Sequence, residues 1–434
     1  MVRSCSHWKL IDPISKWRHA EPVVHGRHIG SSSLPLACAD GFSDSQLMFL
    51  SASLKAMRLR CFVLSALSLW IGFLAATLPS VAATDFLIDV NDTGDGLPSS
   101  TVTSIAQTPD GYLWIGTYNG LARFDGERFV TYDSVETPEL SHARIQGLYV
   151  DAGGTLWINT FRGGLTSYRN GRFHREWKDH ERLFDLHTTL AHSTSNEVFF
   201  VMQFGDVLHG VRNQDGLVWK VIPSPGGSRP LLQCADPLGR LWFTSRDGRV
   251  LLFHRGEFRE FSVEGFPTDR RATAISADQA GNIYFGFEGA IVRWDGTRAE
   301  TISPSGPEAV SPQWIIPTRR GDLWVLDGDR FRKLLNGEWV DEVQEWRGRL
   351  GYASGRAMGV HEDRASGLWM NHYGNGLFHI TPDGRYERFT TSEGLPGDRL
   401  NAWFQSREGN IWVGVDRGGL VRMRERRFHV VGQS

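Results

Sequence analysis

Six segments of this 434-residue chain place side chains able to grip a polar ligand at one repeated offset. Tyr118-Asn119, Phe161-Arg162, Arg246-Asp247, Glu288-Gly289, Tyr373-Gly374 and Asp416-Arg417 each lie four and five residues after an aromatic residue. Arginine forks pair with carboxylates or sulfates, and tyrosine faces cover sugar rings. As a set, Tyr118, Asn119, Arg162, Arg246, Glu288, Tyr373 and Arg417 are the candidate ligand residues, suited to an oligosaccharide or a carboxylated small molecule. Taken singly, each reads first as an ordinary solvated turn residue.

Other groupings of reactive types point to less. His361-Glu362-Asp363 offers three metal-ligating side chains in a row, but neighbours on a strand face opposite ways and do not converge on one ion. Cys234, in Leu231-Leu232-Gln233-Cys234-Ala235, reads as a buried small hydrophobe. The chain holds no Glu-x-His pair, Gly-rich phosphate loop or nucleophile elbow. Asp110-Gly111-Tyr112-Leu113-Trp114 departs from the Asp-box spacing Ser-x-Asp-x-Gly-x-Thr-Trp. The expectation is therefore no catalytic residue, no metal and no cofactor.

The composition sets limits on the elements that must position these residues. Hydrophobic residues at 41% suffice for a core, and 47 Lys+Arg against 49 Asp+Glu give no basic excess for nucleic acid. From Met57 the chain reads as a signal peptide: Arg58 and Arg60, an apolar stretch Cys61–Leu78, then Val81-Ala82-Ala83 before Thr84. An uncleaved membrane anchor is the competing reading. Residues 1–56 are expected to be an unstructured extension from a start codon placed too early, and residues 57–83 the export signal. Without residues 1–83, which hold eight Lys/Arg and four Asp/Glu, the chain keeps 39 basic and 45 acidic residues, a net charge of −6. Cys234 is then its one cysteine, so no internal disulfide forms and stability rests on packing.

A repeat organises the rest. An aromatic anchor recurs at Trp114, Trp157, Phe199, Trp242, Tyr284, Trp324, Trp369 and Trp412, at intervals of 43, 42, 43, 42, 40, 45 and 43 residues. Each unit reads as four short strands. In the first, Val102–Ala106 precedes the Asp110-Gly111 turn and the strand-like Leu113–Thr117. Asn119-Gly120 then turns the chain into the alternating Leu121–Phe124, and Asp125-Gly126 leads to Phe129–Tyr132. Four-stranded antiparallel units at this period predict an all-β fold, a β-propeller, with the anchors as structural core between blades.

The pattern GLP…TVTSIAQTPDGYLWIGTYNGLARFDG resembles the two-component regulator propeller repeat, and the resemblance extends over about 345 residues of the chain. That family implies the periplasmic sensor region of hybrid histidine kinases, some diguanylate cyclases and DNA-binding regulators. It also implies a downstream β-sandwich, a membrane helix and a signalling module, through which a homodimer would form; the chain is expected to carry no such module. Its GLP segments, Asp95–Pro98 and Glu393–Pro396, lie 298 residues apart and, in this family, open a propeller. The residues are accordingly read as a seven-bladed propeller over 84–385, Phe86–Val90 completing its seventh blade, with 386–434 starting a truncated second ring. A closed eight-bladed ring is the alternative.

Three functions follow. The first is a periplasmic, ligand-sensing ectodomain for a small molecule such as an oligosaccharide, with neither a nucleic-acid partner nor a membrane span after signal cleavage. The second is a propeller enzyme of streptogramin-lyase or glycosidase type, since Leu241–Thr244 resembles the lyase repeat. The third is a protein-interaction scaffold or the remnant of a sensor.

Overall fold

The computed structural model describes residues 86–161, 164–177, 191–194, 196–202, 206–214, 216–225, 232–245, 247–267, 269–303, 310–327, 330–342, 357–372, 374–382 and 384–426. The predicted mis-called start and export signal lie outside them. Alternating β-branched and aromatic stretches separated by Gly-containing turns pair as antiparallel neighbours, giving eight four-stranded sheets. Blade one is typical: Val102–Gln107, Leu113–Thr117, Gly120–Phe124 and Phe129–Tyr132 lie side by side in chain order. The first strands of neighbouring blades approach one another and form the inner wall of the ring.

The anchors fall where the register places them. All eight are buried, each in the apolar layer between its own blade and the next. Trp114 joins blades one and two, Trp157 two and three, Phe199 three and four, and Trp242 four and five. Tyr284 joins five and six, Trp324 six and seven, Trp369 seven and eight, and Trp412 eight and one. The polar edge of an anchor is satisfied locally. The indoles of Trp157, Trp242 and Trp369 donate to Asp151, Asp236 and Asp363, six residues earlier, at 3.0, 2.8 and 2.8 Å. Trp114 uses Thr108 and the Tyr284 hydroxyl uses Asp278 in the same way. That earlier residue also closes the turn between the first two strands, its amide donating to the carbonyl four residues on, as Asp151 does to Thr155 at 3.0 Å.

Close approach between blades needs a bare backbone in the second strand, as blade one illustrates. A Cβ on Gly116 would stand 2.5 Å from Ser104 Oγ and 2.7 Å from an Ile145 methyl in blade two.

The ring closes on eight blades, which corrects the seven-plus-one reading. Blade seven supplies its own outer strand, Tyr386–Phe389. Phe86–Asn91 instead pairs with Gly419–Glu425 as the outer strand of blade eight, from Phe86 opposite Glu425 to Asn91 opposite Leu420. The step from blade eight to blade one repeats the step from one to two. Asn401 Nδ2 donates to the Val102 carbonyl at 2.9 Å, as Thr103 Oγ1 does to that of Ile145 at 2.8 Å. The physical reason is burial. A lone eighth blade would expose Trp412 and Leu420, which the closed ring packs against Val102, Ile115 and Phe124. The two GLP segments form the same capped turn, with Leu97 and Leu395 buried beneath, and lead into blades one and eight of one ring.

Candidate functional site

The turns between second and third strands lie at one end of the ring, because each hydrogen-bonds to a stretch leading into an inner strand. Tyr118, Phe161 and Asp416 donate their amides to the carbonyls of Thr101, Arg144 and Arg399, at 3.2, 2.8 and 2.8 Å. Gly376 and Gly419 reach Asp398 and Ser100 of the following blade at 3.0 and 2.7 Å. Equivalent turns thus share a face, as ring geometry requires.

On that face the inner strands bulge at one repeated position. Pairing slips by one residue at Thr103, Gln146, Thr273, Gln313, Met358 and Asn401, in six blades. Bulges of this kind re-aim the adjoining backbone and cluster at ring mouths. Two residues before the bulge stand Arg144, Arg271 and Arg399.

Blades eight, one and two give the best-connected part of this rim. The Arg417 amide donates to Thr101 Oγ1 at 3.2 Å, and Arg417 itself is exposed in the left-handed backbone region, φ 59°. Tyr118, 43% exposed, accepts from Arg144 Nη2 at its hydroxyl, at 3.1 Å. The Arg144 guanidinium lies 4.0 Å from the Tyr118 ring centre and 5.0 Å from that of Phe161. His142 sits edge-on to Phe161 at 5.5 Å, and its Nδ1 accepts the Arg144 amide at 2.9 Å.

The candidate ligand residues therefore divide. Tyr118 and Arg417 meet through Thr101, and Phe161 joins them through Arg144. Asn119 is exposed in the same turn, its amide held by Thr117 Oγ1 at 3.2 Å. Glu288 is exposed in the equivalent turn of blade five, where its carbonyl accepts from Arg270 at 3.1 Å. Arg162, Arg246 and Tyr373 lie outside the described residues. Sequence reasoning missed Arg144 and His142, since it followed the chain only after each anchor. The signal was present thirteen residues before it, where Arg144, Arg271 and Arg399 recur.

His361, Glu362 and Asp363 diverge. His361 packs on Trp403 at 5.4 Å. Glu362 faces Arg319 at 3.4 Å, and Asp363 takes the Trp369 indole. Among the described residues no three His, Cys, Asp or Glu side chains gather as a metal-holding group. At the opposite end of the ring, blades six and seven frame a cleft of about 190 Å³, with Trp324 and the Asp322–Lys333 ion pair in its wall.

Residues 96–119, running from the GLP turn into the Tyr118-Asn119 turn, match the model of the two component regulator propeller. That stretch carries one copy of the family's repeat. No curated protein matches the sequence. Among solved structures, a streptogramin B lyase is 17% identical, with 80% of this chain and 99% of the lyase aligned, at a TM-score of 0.44. The extracellular domain of a putative hybrid two-component system from B. thetaiotaomicron is 16% identical at a TM-score of 0.41. There 80% of this chain covers 55% of the relative, so the chain spans about half of that ectodomain. No helix of the described residues is long and apolar enough to cross a membrane.

Proposed function

We propose that this propeller is the ligand-binding part of a periplasmic signalling receptor, holding a small molecule such as an oligosaccharide on the rim built by Tyr118, Phe161 and Arg417. The observation that carries the reading is the bonded path from Arg417 through Thr101 to Tyr118 and Arg144, which joins three blades into one polar and aromatic surface. The regulator-propeller repeat ends in that surface. The contribution is binding without bond chemistry. Ligand acts by favouring one arrangement of the receptor over another, since equal affinity for both shifts nothing.

Calorimetry against neutral and acidic oligosaccharides tests this. A binder is expected in the panel, with Arg417→Ala weakening it by about 1.5–3 kcal/mol, as for a lost hydrogen bond to a charged group, and leaving the melt unchanged. Binding indifferent to both Arg417→Ala and Tyr118→Ala would remove the rim as the site. Turnover of a bound ligand would favour the lyase-type reading.

A further inference from the structure

Four arginines elsewhere in the ring face carboxylates: Arg240 meets Asp236, Arg332 meets Asp327, Arg319 meets Glu362 and Arg422 meets Asp89. Arg144 does not. Among the described residues no carboxylate lies within ion-pair distance of it, and its one side-chain acceptor is the Tyr118 hydroxyl. A guanidinium carries five N–H donors; here one is used, Nε is buried without a partner, and the Nη1 edge is unfilled.

The surroundings hold that edge in place. Rings at 4.0 and 5.0 Å flank the guanidinium, which fixes its plane and reduces the ordering cost of binding. The neighbouring groups add donors of the same sense. Because Tyr118 Oη accepts from Arg144, its own O–H proton is directed away from the arginine. Because His142 Nδ1 accepts from the Arg144 amide, a neutral His142 carries its proton on Nε2. Among the described residues these three donors and the fixed positive charge meet no acceptor, and a planar fork matches a carboxylate in size and geometry.

We propose that Arg144, with Tyr118 and His142 beside it, is the anchor for a carboxylate on the ligand. The proposal rests on reading this rim as the ligand face, and it adds a requirement that reading lacks: the ligand is an acid, and Arg144 supplies the discrimination.

The test uses the chain with three matched probes, D-glucuronate, D-glucose and D-glucose 6-sulfate, by calorimetry or ligand-observed NMR. Glucuronate is expected to bind at least tenfold more tightly than glucose, and more tightly than the sulfate, whose tetrahedral head fits the planar fork less well. Arg144→Gln is expected to bring glucuronate and glucose to equal affinity. Tyr118→Phe, which deletes only the hydroxyl, is expected to weaken glucuronate several-fold with an unchanged melt, and it serves if Arg144→Gln fails to fold. Absence of glucuronate binding, or a preference surviving in Arg144→Gln, overturns the proposal. Tight binding of a neutral oligosaccharide that depends on Arg417 would overturn it while leaving the rim reading intact. Glucuronate binding that ignores Arg144, Tyr118 and Arg417 alike would sink both. Stronger binding of the sulfate would reassign the anchor from carboxylates to sulfated ligands and overturn the carboxylate claim.

Discussion

Arg422 donates through Nε and Nη2 to one carboxylate oxygen of Asp89, at 3.1 and 3.0 Å, across 333 residues of sequence. Arg424 reaches the same oxygen at 2.9 Å. These contacts lie along the seam where the first strand completes the last blade. On the opposite face of the same strand Phe86 packs edge-on to Trp369 and Phe389, at 5.7 and 5.4 Å. Closure thus combines a partly exposed charge cluster with an aromatic plug.

The two components should separate by mutation. Asp89 is 38% exposed and Arg424 44%, so Asp89→Asn should cost less than about 1 kcal/mol, the range of surface ion pairs. Phe86→Ala should cost about 2–3 kcal/mol, somewhat below a fully buried phenylalanine. Urea unfolding of both variants measures this. Equal losses would mean that the charges hold the seam as strongly as the ring does.

The anchor register makes a sharper claim. Trp157 is 1% exposed and packs on Phe200 and Trp219 at 5.5 and 5.8 Å. Trp157→Ala should destabilise the fold by about 3–5 kcal/mol. Asp151→Ala, which removes the acceptor of both the Trp157 indole and the Thr155 amide, should cost about 1–3 kcal/mol. A melt of Trp157→Ala indistinguishable from the parent would take Trp157 out of the core.

What was legible in the sequence was local. Leu113–Thr117 and Asn119-Gly120 announce a strand and its turn through side-chain type alone, and eight such units at even spacing give the fold. Ring closure was not legible, because the 298 residues between GLP segments equal seven repeats whether the ring holds seven blades or eight. The pairing of Phe86–Asn91 with Gly419–Glu425 decides it, and no local pattern encodes a partner so distant. Arg144 escaped notice for a different reason. Its role depends on rings from two blades, Tyr118 and Phe161, that only the assembled ring brings beside it.

Cys234 should be inert while the ring is intact. Burial is the main cause that pushes its thiol up to about 12, with the Asp236 charge adding to it, and it packs on the layer around Trp242. Against the ordinary thiol value of 9.0, the thiolate is scarcer on the order of a thousandfold at mildly alkaline pH. Iodoacetamide followed by peptide mapping should label Cys234 in urea and leave it unlabelled in buffer. Rapid labelling without denaturant would contradict the packing of blades four and five.

The interface of blades seven and eight should make stability depend on pH. His379 stacks on Trp369 with centroids 4.1 Å apart, its Nδ1 2.9 Å from Glu387 and its Nε2 3.4 Å from Asp363. Burial alone would lower the His379 pKa, but the two carboxylates outweigh it and hold the value above the ordinary 6.5. For Asp363, burial raises the pKa, and hydrogen bonds from His379, the Gly367 amide and the Trp369 indole more than reverse it, leaving it below 3.8. The signs follow from linkage. The His379 contribution is fully present below about pH 6.5 and fades as pH rises through the raised folded value. The Asp363 contribution is present above about pH 4 and is lost as pH falls through its depressed folded value. Other titrating groups contribute in the same pH range, so the parent profile alone does not isolate His379. Comparison with His379→Gln does. Urea midpoints of the parent should fall between about pH 6 and pH 9 relative to that variant, with the two curves running parallel where His379 is neutral in both states. Parallel curves over the whole range would show that His379 gains no charge stabilisation from Asp363 and Glu387.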